Sequence, residues 1–350
     1  MENRHNMADE TTKWRRAAVV GVVVLSMVVW SPAANKPRIL QTNSAGDNIH
    51  LIDPATDKVV GEITGIEVSH GVAVSPNGKR IYVSNESEST LDIVDGKTLK
   101  VIKQIPLSGG PNNIALSPDG RRVYIAIRKN PGGVDVVDTA SEKRVKTIVT
   151  GDQIHNTYVT PDGKFVIAGS QQGRKVSVID AKTEEVAWTV PMGLGVRPMA
   201  MSVNPDGSTK WLFVQMSALN GFAVVDFATH KEIKRIKHPN IAPGRTPLPP
   251  RGEISHGMAV TKDQKTLLVC SVMNRAMYAY SLPDLEVIGT AELSGKGSSW
   301  VTLSPDNKKA YVANSMTNNV SVVDVASMKE ITTIPVGWVP KRSTLGMLPQ

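Results

Sequence analysis

Three of the seven histidines in this 350-residue chain occupy equivalent places in a repeated sequence pattern. They are His70, His155 and His256, and each lies six residues before the second residue of a recurring turn that resembles Ser/Thr-Pro-Asp-Gly. Neutral imidazoles that converge on one point can bind Zn, Cu or Fe. Three of them leave a coordination position open for water or substrate. The spacing therefore predicts a site for a divalent transition metal or a small ligand.

An acidic residue lies three positions before each of these histidines. These residues are Glu67, Asp152 and Glu253, and the matching positions of the other repeats are not acidic. A carboxylate can orient a metal-binding imidazole by accepting a hydrogen bond from its second ring nitrogen. We therefore expect the three acids to support the histidines. The alternative is that the repeats are simply alike and that the histidines bond to nearby backbone in a wet channel.

Other polar residues fall at or near the same position of the remaining repeats. Asn112 takes the place of the histidine in the second repeat, and Arg197 and Trp300 lie close to it in later ones. Such side chains can hold a carboxylate or phosphate, or stack on a ring. We assign Asn112, Arg197 and Trp300 to ligand binding, with no residue identified as catalytic. In the remaining repeats the residue at the histidine position is Pro198 or Met199 in the fourth, Ser299 in the sixth and Ser343 in the seventh. Lys341 and Arg342 lie near this position in the seventh repeat.

The turns that define the pattern recur 42 to 44 residues apart, except for one spacing of 57 residues. Each repeat contains a short apolar segment, the turn, a β-branched and aromatic segment, an alternating segment that in most repeats ends in Asp, and a fourth segment. Four strands in about 40–45 residues are typical of a β-propeller blade. The six turns are Ser75–Gly78, Ser117–Gly120, Thr160–Gly163, Asn204–Gly207, Thr261–Gln264 and Ser304–Asn307.

The two ends of the chain supply a seventh unit. Residues 38–42, 48–53 and 57–63 read as strands two, three and four, and Ser343–Leu348 reads as the missing first strand. Sharing one blade between the termini removes the open edges of the ring. The sequence thus predicts an all-β, seven-bladed propeller over residues 35–350 that forms one domain, and we expect a monomer.

Three segments carry a resemblance to a known family. Tyr311-Val-Ala-Asn314, Val320-Ser-Val-Val-Asp324 and Ile334-Pro-Val-Gly337 resemble the YVTN family of seven-bladed propellers, and the similarity extends over about residues 37–348. This family includes lactonase-like hydrolases, surface-layer proteins, a periplasmic protein that binds single-stranded DNA, and relatives of the haem d1 propellers. A shared scaffold does not select among these activities.

The resemblance therefore implies several functions. The first is an exported binding protein that uses the three histidines, and the second is a lactonase-like hydrolase that uses water at the same centre. Binding of single-stranded nucleic acid agrees with the net charge of +8, but aromatic residues are only 5% of the chain and such sites need stacking platforms. We do not expect haem d1, because the propellers that bind it resemble eight blades.

The composition excludes several chemistries. Cys270 is the single cysteine, so neither an internal disulfide nor a cysteine-based zinc or iron–sulfur site can form. The sequence also lacks a glycine-rich phosphate loop, a Gly-x-Ser-x-Gly segment and a Cys-x-x-Cys-His haem attachment.

The first 34 residues have the pattern of an export signal. Lys13 to Arg16 form a basic segment, residues 17–30 are apolar, and small residues follow at 31–34. We interpret residues 1–34 as a signal peptide or an uncleaved signal anchor, so that residues 17–30 would provide the only membrane contact. We expect the propeller to be periplasmic or secreted.

Overall fold

The strands of the described residues form seven antiparallel sheets of four strands each. The computed structural model describes residues 35–129, 132–241, 244, 246–249 and 254–350. Within these ranges all regular secondary structure is strand. The predicted seven-bladed propeller is therefore confirmed.

The closing blade joins the two ends of the chain. Its strands are β1 (Lys36–Asn43), β2 (Asn48–Asp53), β3 (Lys58–Thr64) and β28 (Pro340–Leu348). They lie in the order β28-β1-β2-β3, and Leu40 pairs with Thr344 across the junction. The predicted sharing of one blade is confirmed, with the last strand beginning three residues earlier than the pattern indicated.

The other six blades are continuous in sequence, and their strands run outward in chain order. Blade 1 comprises β4 (Ser69–Val74), β5 (Arg80–Asn85), β6 (Thr90–Asp95) and β7 (Val101–Pro106). Blade 2 comprises β8 (Pro111–Leu116), β9 (Arg122–Ile127), β10 (Gly133–Asp138) and β11 (Lys143–Ile148). Blade 3 comprises β12 (Ile154–Val159), β13 (Phe165–Ser170), β14 (Lys175–Asp180) and β15 (Glu185–Pro191).

The second half of the ring repeats this arrangement. Blade 4 comprises β16 (Val196–Val203), β17 (Thr209–Met216), β18 (Gly221–Asp226) and β19 (Lys231–Lys237). Blade 5 comprises β20 (Ser255–Val260), β21 (Thr266–Ser271), β22 (Ala276–Ser281) and β23 (Val287–Glu292). Blade 6 comprises β24 (Ser298–Leu303), β25 (Lys309–Asn314), β26 (Asn319–Asp324) and β27 (Lys329–Pro335).

The hydrophobic core is divided among the interfaces between neighbouring blades. Seven clusters of buried apolar side chains are present, and each combines residues of two adjacent blades. For example, Leu40 of the closing blade and Val83 of blade 1 share one cluster. The two middle strands of each blade are buried on both faces, so they read as nearly continuous apolar runs. Blade-to-blade packing therefore holds the ring together without a disulfide.

The first strand of every blade lies nearest the axis and contacts the first strands of its neighbours. Each of these seven inner strands has an irregular pairing register close to its beginning. In β4 the irregularity lies between Ser69 and Val72, so His70 and Gly71 together face one residue of β5. A bulge of this kind re-aims side chains and ends regular pairing. The second residue of each inner strand is thereby placed at one mouth of the ring.

Residues 1–34, which contain the predicted signal peptide or signal anchor, lie outside the described residues. In the part of the chain that is described, no helix is long and apolar enough to cross a membrane.

Candidate functional site

A cavity of about 240 Å³ lies at the mouth where the inner strands begin, and we call it the axial cavity. Five predicted site residues meet there, because each is the second residue of its inner strand: His70, Asn112, His155, Arg197 and His256. The complete lining adds Arg128, Gln171, Lys341 and Arg342. The three histidines thus face a common space, as their shared register indicated.

Each histidine ring is fixed by a hydrogen bond at Nδ1. His70 Nδ1 lies 3.0 Å from a carboxylate oxygen of Glu86, and His256 Nδ1 contacts the carbonyl oxygen of Ser299. His155 Nδ1 contacts Oδ1 of Asn156. Since these oxygens accept hydrogen bonds, the ring proton resides on Nδ1 in all three cases. The Nε2 atom of each neutral imidazole consequently carries the lone pair.

The environment keeps at least two of these rings neutral. Burial lowers the pKa of His70 to about 4, although the hydrogen bond to Glu86 opposes the shift. Burial also lowers the pKa of His155 well below its usual value, and the charge of Arg342 adds to this effect. The rings of His155 and His256 meet edge to face with their centroids 6.3 Å apart. At neutral pH the imidazoles of His70 and His155 therefore carry no charge and can accept hydrogen bonds.

Four basic side chains line the axial cavity. They are Arg128, Arg197, Lys341 and Arg342, and none of the lining residues in the described ranges is acidic. Glu86 lies just behind the wall, 3.5 Å from Arg128. Burial tends to raise the pKa of Glu86, but the hydrogen bond from His70 and the nearby basic groups bring it below its usual value. Among the described residues, the carboxylate of Glu86 therefore lies directly behind this basic lining.

Arg342 is held in place by contacts on two sides. It is 3% exposed, its Nη2 donates a hydrogen bond of 2.9 Å to Oδ1 of Asn112, and its guanidinium lies 4.4 Å from the ring centroid of Trp300. Trp300 itself is held by a hydrogen bond from Nε1 to the carbonyl oxygen of Ser343. Trp300 thus contacts Arg342 from behind and does not line the cavity.

Asn112 has a buried hydrogen-bond donor that the described protein does not satisfy. The residue is 0% exposed, and its Nδ2 has no partner among the described residues, whereas its Oδ1 is bonded to Arg342. A buried polar group without a partner costs about 1–3 kcal/mol. The Asn112 amide is therefore suited to donate to an acceptor atom in the cavity.

The predicted acidic support requires correction at His70 and at His155. Glu67 accepts a hydrogen bond from Ser87, and Asp152 forms an ion pair of 2.7 Å with Lys175. Glu253 lies outside the described residues. The residue between Glu67 and β4, Val68, has a φ of 47°, and this left-handed turn separates the direction of Glu67 from that of His70. Glu86 holds His70 instead.

The structure also corrects the alignment of two blades. In blade 4 the second residue of β16 is Arg197, and neither Pro198 nor Met199 lines the cavity. In the closing blade Lys341 and Arg342 reach the cavity, while the Ser343 hydroxyl lies 2.8 Å from that of Thr302. The shift arises because β16 and β28 have eight and nine residues whereas the other inner strands have six.

Sequence reasoning missed a second ring of residues. Glu86, Arg128 and Gln171 each directly follow the second strand of their blade. They lie one layer outside the inner strands of blades 1, 2 and 3, and Arg128 and Gln171 line the cavity. A blade-by-blade comparison of this position, like the one that identifies the histidines, is the signal that could have found them.

The donor set does not favour a metal ion. Among the described residues, no group of three or more His, Cys, Asp and Glu is arranged to hold one. Four basic side chains around the same cavity also repel a divalent cation. The metal site built on His70, His155 and His256 remains a prediction without geometric support.

The fold and this site define the chain as a seven-bladed propeller with a basic axial cavity. Residues 129–250 match the model of a family described as YNCE-like beta-propeller. This match and the seven blades confirm the resemblance to propellers of this type. No curated protein matches the chain.

Several solved structures share the fold. Hydrazine synthase of Kuenenia stuttgartiensis is 23% identical, with a TM-score of 0.70 over 87% of this chain and 99% of that chain. The periplasmic gluconolactonase of Pseudomonas aeruginosa is 16% identical, with a TM-score of 0.70 over 90% and 100%. Dihydro-heme d1 dehydrogenase is 16% identical, with a TM-score of 0.59 over 87% and 74%. At these identities the similarity extends to the fold alone.

Proposed function

We propose that this chain is an exported propeller whose axial cavity binds the oxyanion group of a small ligand, a carboxylate or a phosphate. The observation that carries the proposal is the combination of four basic side chains with the unsatisfied Nδ2 donor of Asn112 in the described structure. Guanidinium and amide donors are the groups that recognise such oxyanions. Export is supported by the pattern of residues 1–34 and by the description of one structural neighbour as periplasmic.

The binding groups are held in place before a ligand arrives. Asn112 and Trp300 fix the guanidinium of Arg342 from two sides. Such preorganisation lowers the entropic cost of binding. The Nε2 lone pairs of His70 and His155 complement these donors, because they can accept hydrogen bonds from ligand hydroxyls. The ligand therefore combines an oxyanion with hydroxyl groups.

Calorimetric titration of the purified protein with acetate, glucuronate and inorganic phosphate tests the proposal. We expect saturable binding of at least one of these anions, weakened about tenfold or more by Arg342→Gln and by the less buried Lys341→Gln. Arg121→Gln is the matched control, because Arg121 is exposed and pairs with Asp119 at a turn. Melting curves check that each variant folds. Absence of binding, or equal weakening in all three variants, would contradict the proposal.

A lactonase-like hydrolase is the second candidate. The observation that favours it is a neutral imidazole, His155, that lines the same cavity as a buried guanidinium, Arg342. His155 could accept a proton from water as that water attacks a lactone carbonyl, and Arg342 could stabilise the negative charge that develops on oxygen. As the ring C–O bond breaks, His155 returns this proton to the leaving ring oxygen, which becomes the hydroxyl group of a hydroxy acid. The acid loses its carboxyl proton to solvent, and the resulting carboxylate suits the basic cavity.

Titration of the acid released from a panel of δ-lactones tests the hydrolase. We expect turnover that is lost in His155→Gln, retained in Arg121→Gln and insensitive to a metal chelator. Anion binding without turnover of any lactone would leave the binding protein as the function. Turnover that requires added zinc would instead support the metal site.

Binding of single-stranded nucleic acid stays a prediction. None of the described residues that line the axial cavity is Phe, Trp or Tyr, although such stacking platforms are typical of these sites.

A further inference from the structure

The axial cavity borders a second depression on the same mouth of the ring. This depression has a volume of about 530 Å³, and we call it the radial groove. It lies over blades 3 and 4, and its lining consists of Gln171, Gln172, Arg174, Leu194, Gly195, Ser217 and Ala218. Gln171 lines both the groove and the axial cavity.

A chain of hydrogen bonds joins the walls of the two spaces. Arg197, in the axial cavity, donates from Nε to the hydroxyl oxygen of Ser217 in the groove over 2.9 Å. The backbone N–H of Ser217 donates in turn to the carbonyl oxygen of Gly195 over 2.8 Å. A Cβ atom at Gly195 would lie 2.5 Å from the carbonyl oxygen of Gln171, so only glycine permits this close approach of blades 3 and 4. The axial cavity and the radial groove therefore share one hydrogen-bonded wall that a single ligand could contact.

The groove is lined by polar side chains that a ligand can reach. The side chains of Gln172 and Arg174 are exposed, and that of Gln171 is half-buried. Amide groups both donate and accept, which matches the hydroxyl groups of a sugar. The described lining contains no aromatic residue, so a nucleobase would have no surface to stack on. It contains no carboxylate either, so a cationic extension is not favoured.

We propose that the oxyanion held in the axial cavity is one end of a larger ligand, a sugar acid or a sugar phosphate, whose uncharged sugar lies in the radial groove. The inference rests on the proposed binding function and specifies its ligand. The axial cavity accommodates the charged group, and Gln171 contacts the ligand where it passes from one space to the other.

Two matched pairs of probes test the inference on the full protein. The carboxylate pair is acetate and glucuronate, and the phosphate pair is inorganic phosphate and glucose 1-phosphate. In at least one pair we expect the sugar-bearing probe to bind about tenfold or more tightly than the bare anion. The pair that shows this gain identifies the charged group as carboxylate or phosphate.

The variant Gln172→Trp places a bulky ring in the groove at an exposed position. We expect it to remove most of the sugar-dependent gain and to leave binding of the bare anion unchanged. Met316→Trp is the matched control, because Met316 is exposed and has the same position relative to the second strand of blade 6. We expect this control to retain the full gain, and a melting curve for each variant confirms folding.

Two results would overturn the inference while leaving the proposed function in place. One is equal affinity for the bare anion and its sugar-bearing partner in both pairs. The other is a sugar-dependent gain that Gln172→Trp does not reduce. If no anion binds at all, the proposed function fails together with the inference, so the two failures can be distinguished.

Discussion

At the scale of single residues, the site depends on how Asn112 is used. Its Oδ1 accepts a hydrogen bond from Arg342, and its buried Nδ2 has no partner among the described residues. An amide that orients a cation and also presents a donor beside it is an efficient contact for an oxyanion. The same geometry would be unfavourable for a metal cation, because the guanidinium of Arg342 carries a positive charge and the amide N–H of Asn112 presents the positive end of its dipole.

The variant Asn112→Asp tests this use of the amide. The change keeps the shape, and the new carboxylate pairs with Arg342, so we expect the melting temperature to change by only a few degrees. The donor is lost and a negative charge appears in the cavity, so anion affinity measured by calorimetry should fall about tenfold or more. Asn77→Asp is the control, because the other five turns already carry Asp at that position. An unchanged affinity in Asn112→Asp would contradict the assigned role.

At the scale of elements, the irregular start of each inner strand determines which side chain reaches the axis. In blade 5 the bulge includes Gly257, which directly follows His256 and has a φ of 84°. A Cβ atom at Gly257 would lie 2.8 Å from Cα of Trp300 on the neighbouring inner strand. Glycine is thus required at position 257 for two reasons: its positive φ angle and the close approach of the neighbouring blade.

We expect Gly257→Ala to destabilise the protein by about 2–4 kcal/mol, because it combines backbone strain with overpacking. Gly193→Ala provides the control. Gly193 has a φ of 71°, and a Cβ atom added there would have no neighbouring atom within 4 Å, so only the backbone strain of about 1 kcal/mol should appear. Urea denaturation of both variants gives the comparison. If both variants lost the same free energy of unfolding, the close approach of residue 257 to Trp300 would not restrict the side chain at that position.

The sequence predicted the elements well and the site in part. The turn spacing was sufficient to predict the seven blades and the closing blade shared by the two ends of the chain, because each blade is a local unit of four strands. It also placed His70, Asn112, His155 and His256 together. Which side chain holds each histidine was not predictable from the spacing. The support of His70 by Glu86 depends on the bulge of β4 and on the left-handed turn at Val68.

At the scale of the whole molecule, buried neutral histidines make stability depend on pH. Burial lowers the pKa of His238 to about 3, and the ring is bonded to Tyr280 and Ser255. Because an unfolded histidine titrates near pH 6.5, the unfolded chain binds more protons than the folded chain between about pH 6.5 and pH 3. The free energy of unfolding therefore falls as the pH is lowered through this window and does not change from this source above it.

Urea denaturation between about pH 7 and pH 4.5 measures this effect while most carboxylates stay charged. We expect each buried neutral histidine to contribute a loss of up to about 1.4 kcal/mol per pH unit. His238→Gln lowers the absolute stability because it disturbs a buried network, so the slope against pH is the informative quantity. The slope should be smaller in this variant than in the natural sequence. Identical slopes would contradict a neutral buried His238.

The central claim is that the axial cavity binds an oxyanion and not a metal cation. Anomalous diffraction from crystals exposed to both selenate and zinc tests it most directly. We predict a selenium peak in the cavity, within hydrogen-bond distance of Asn112 Nδ2 and beside Arg342. A zinc peak among the Nε2 atoms of His70, His155 and His256, with no selenium in the cavity, would contradict the claim.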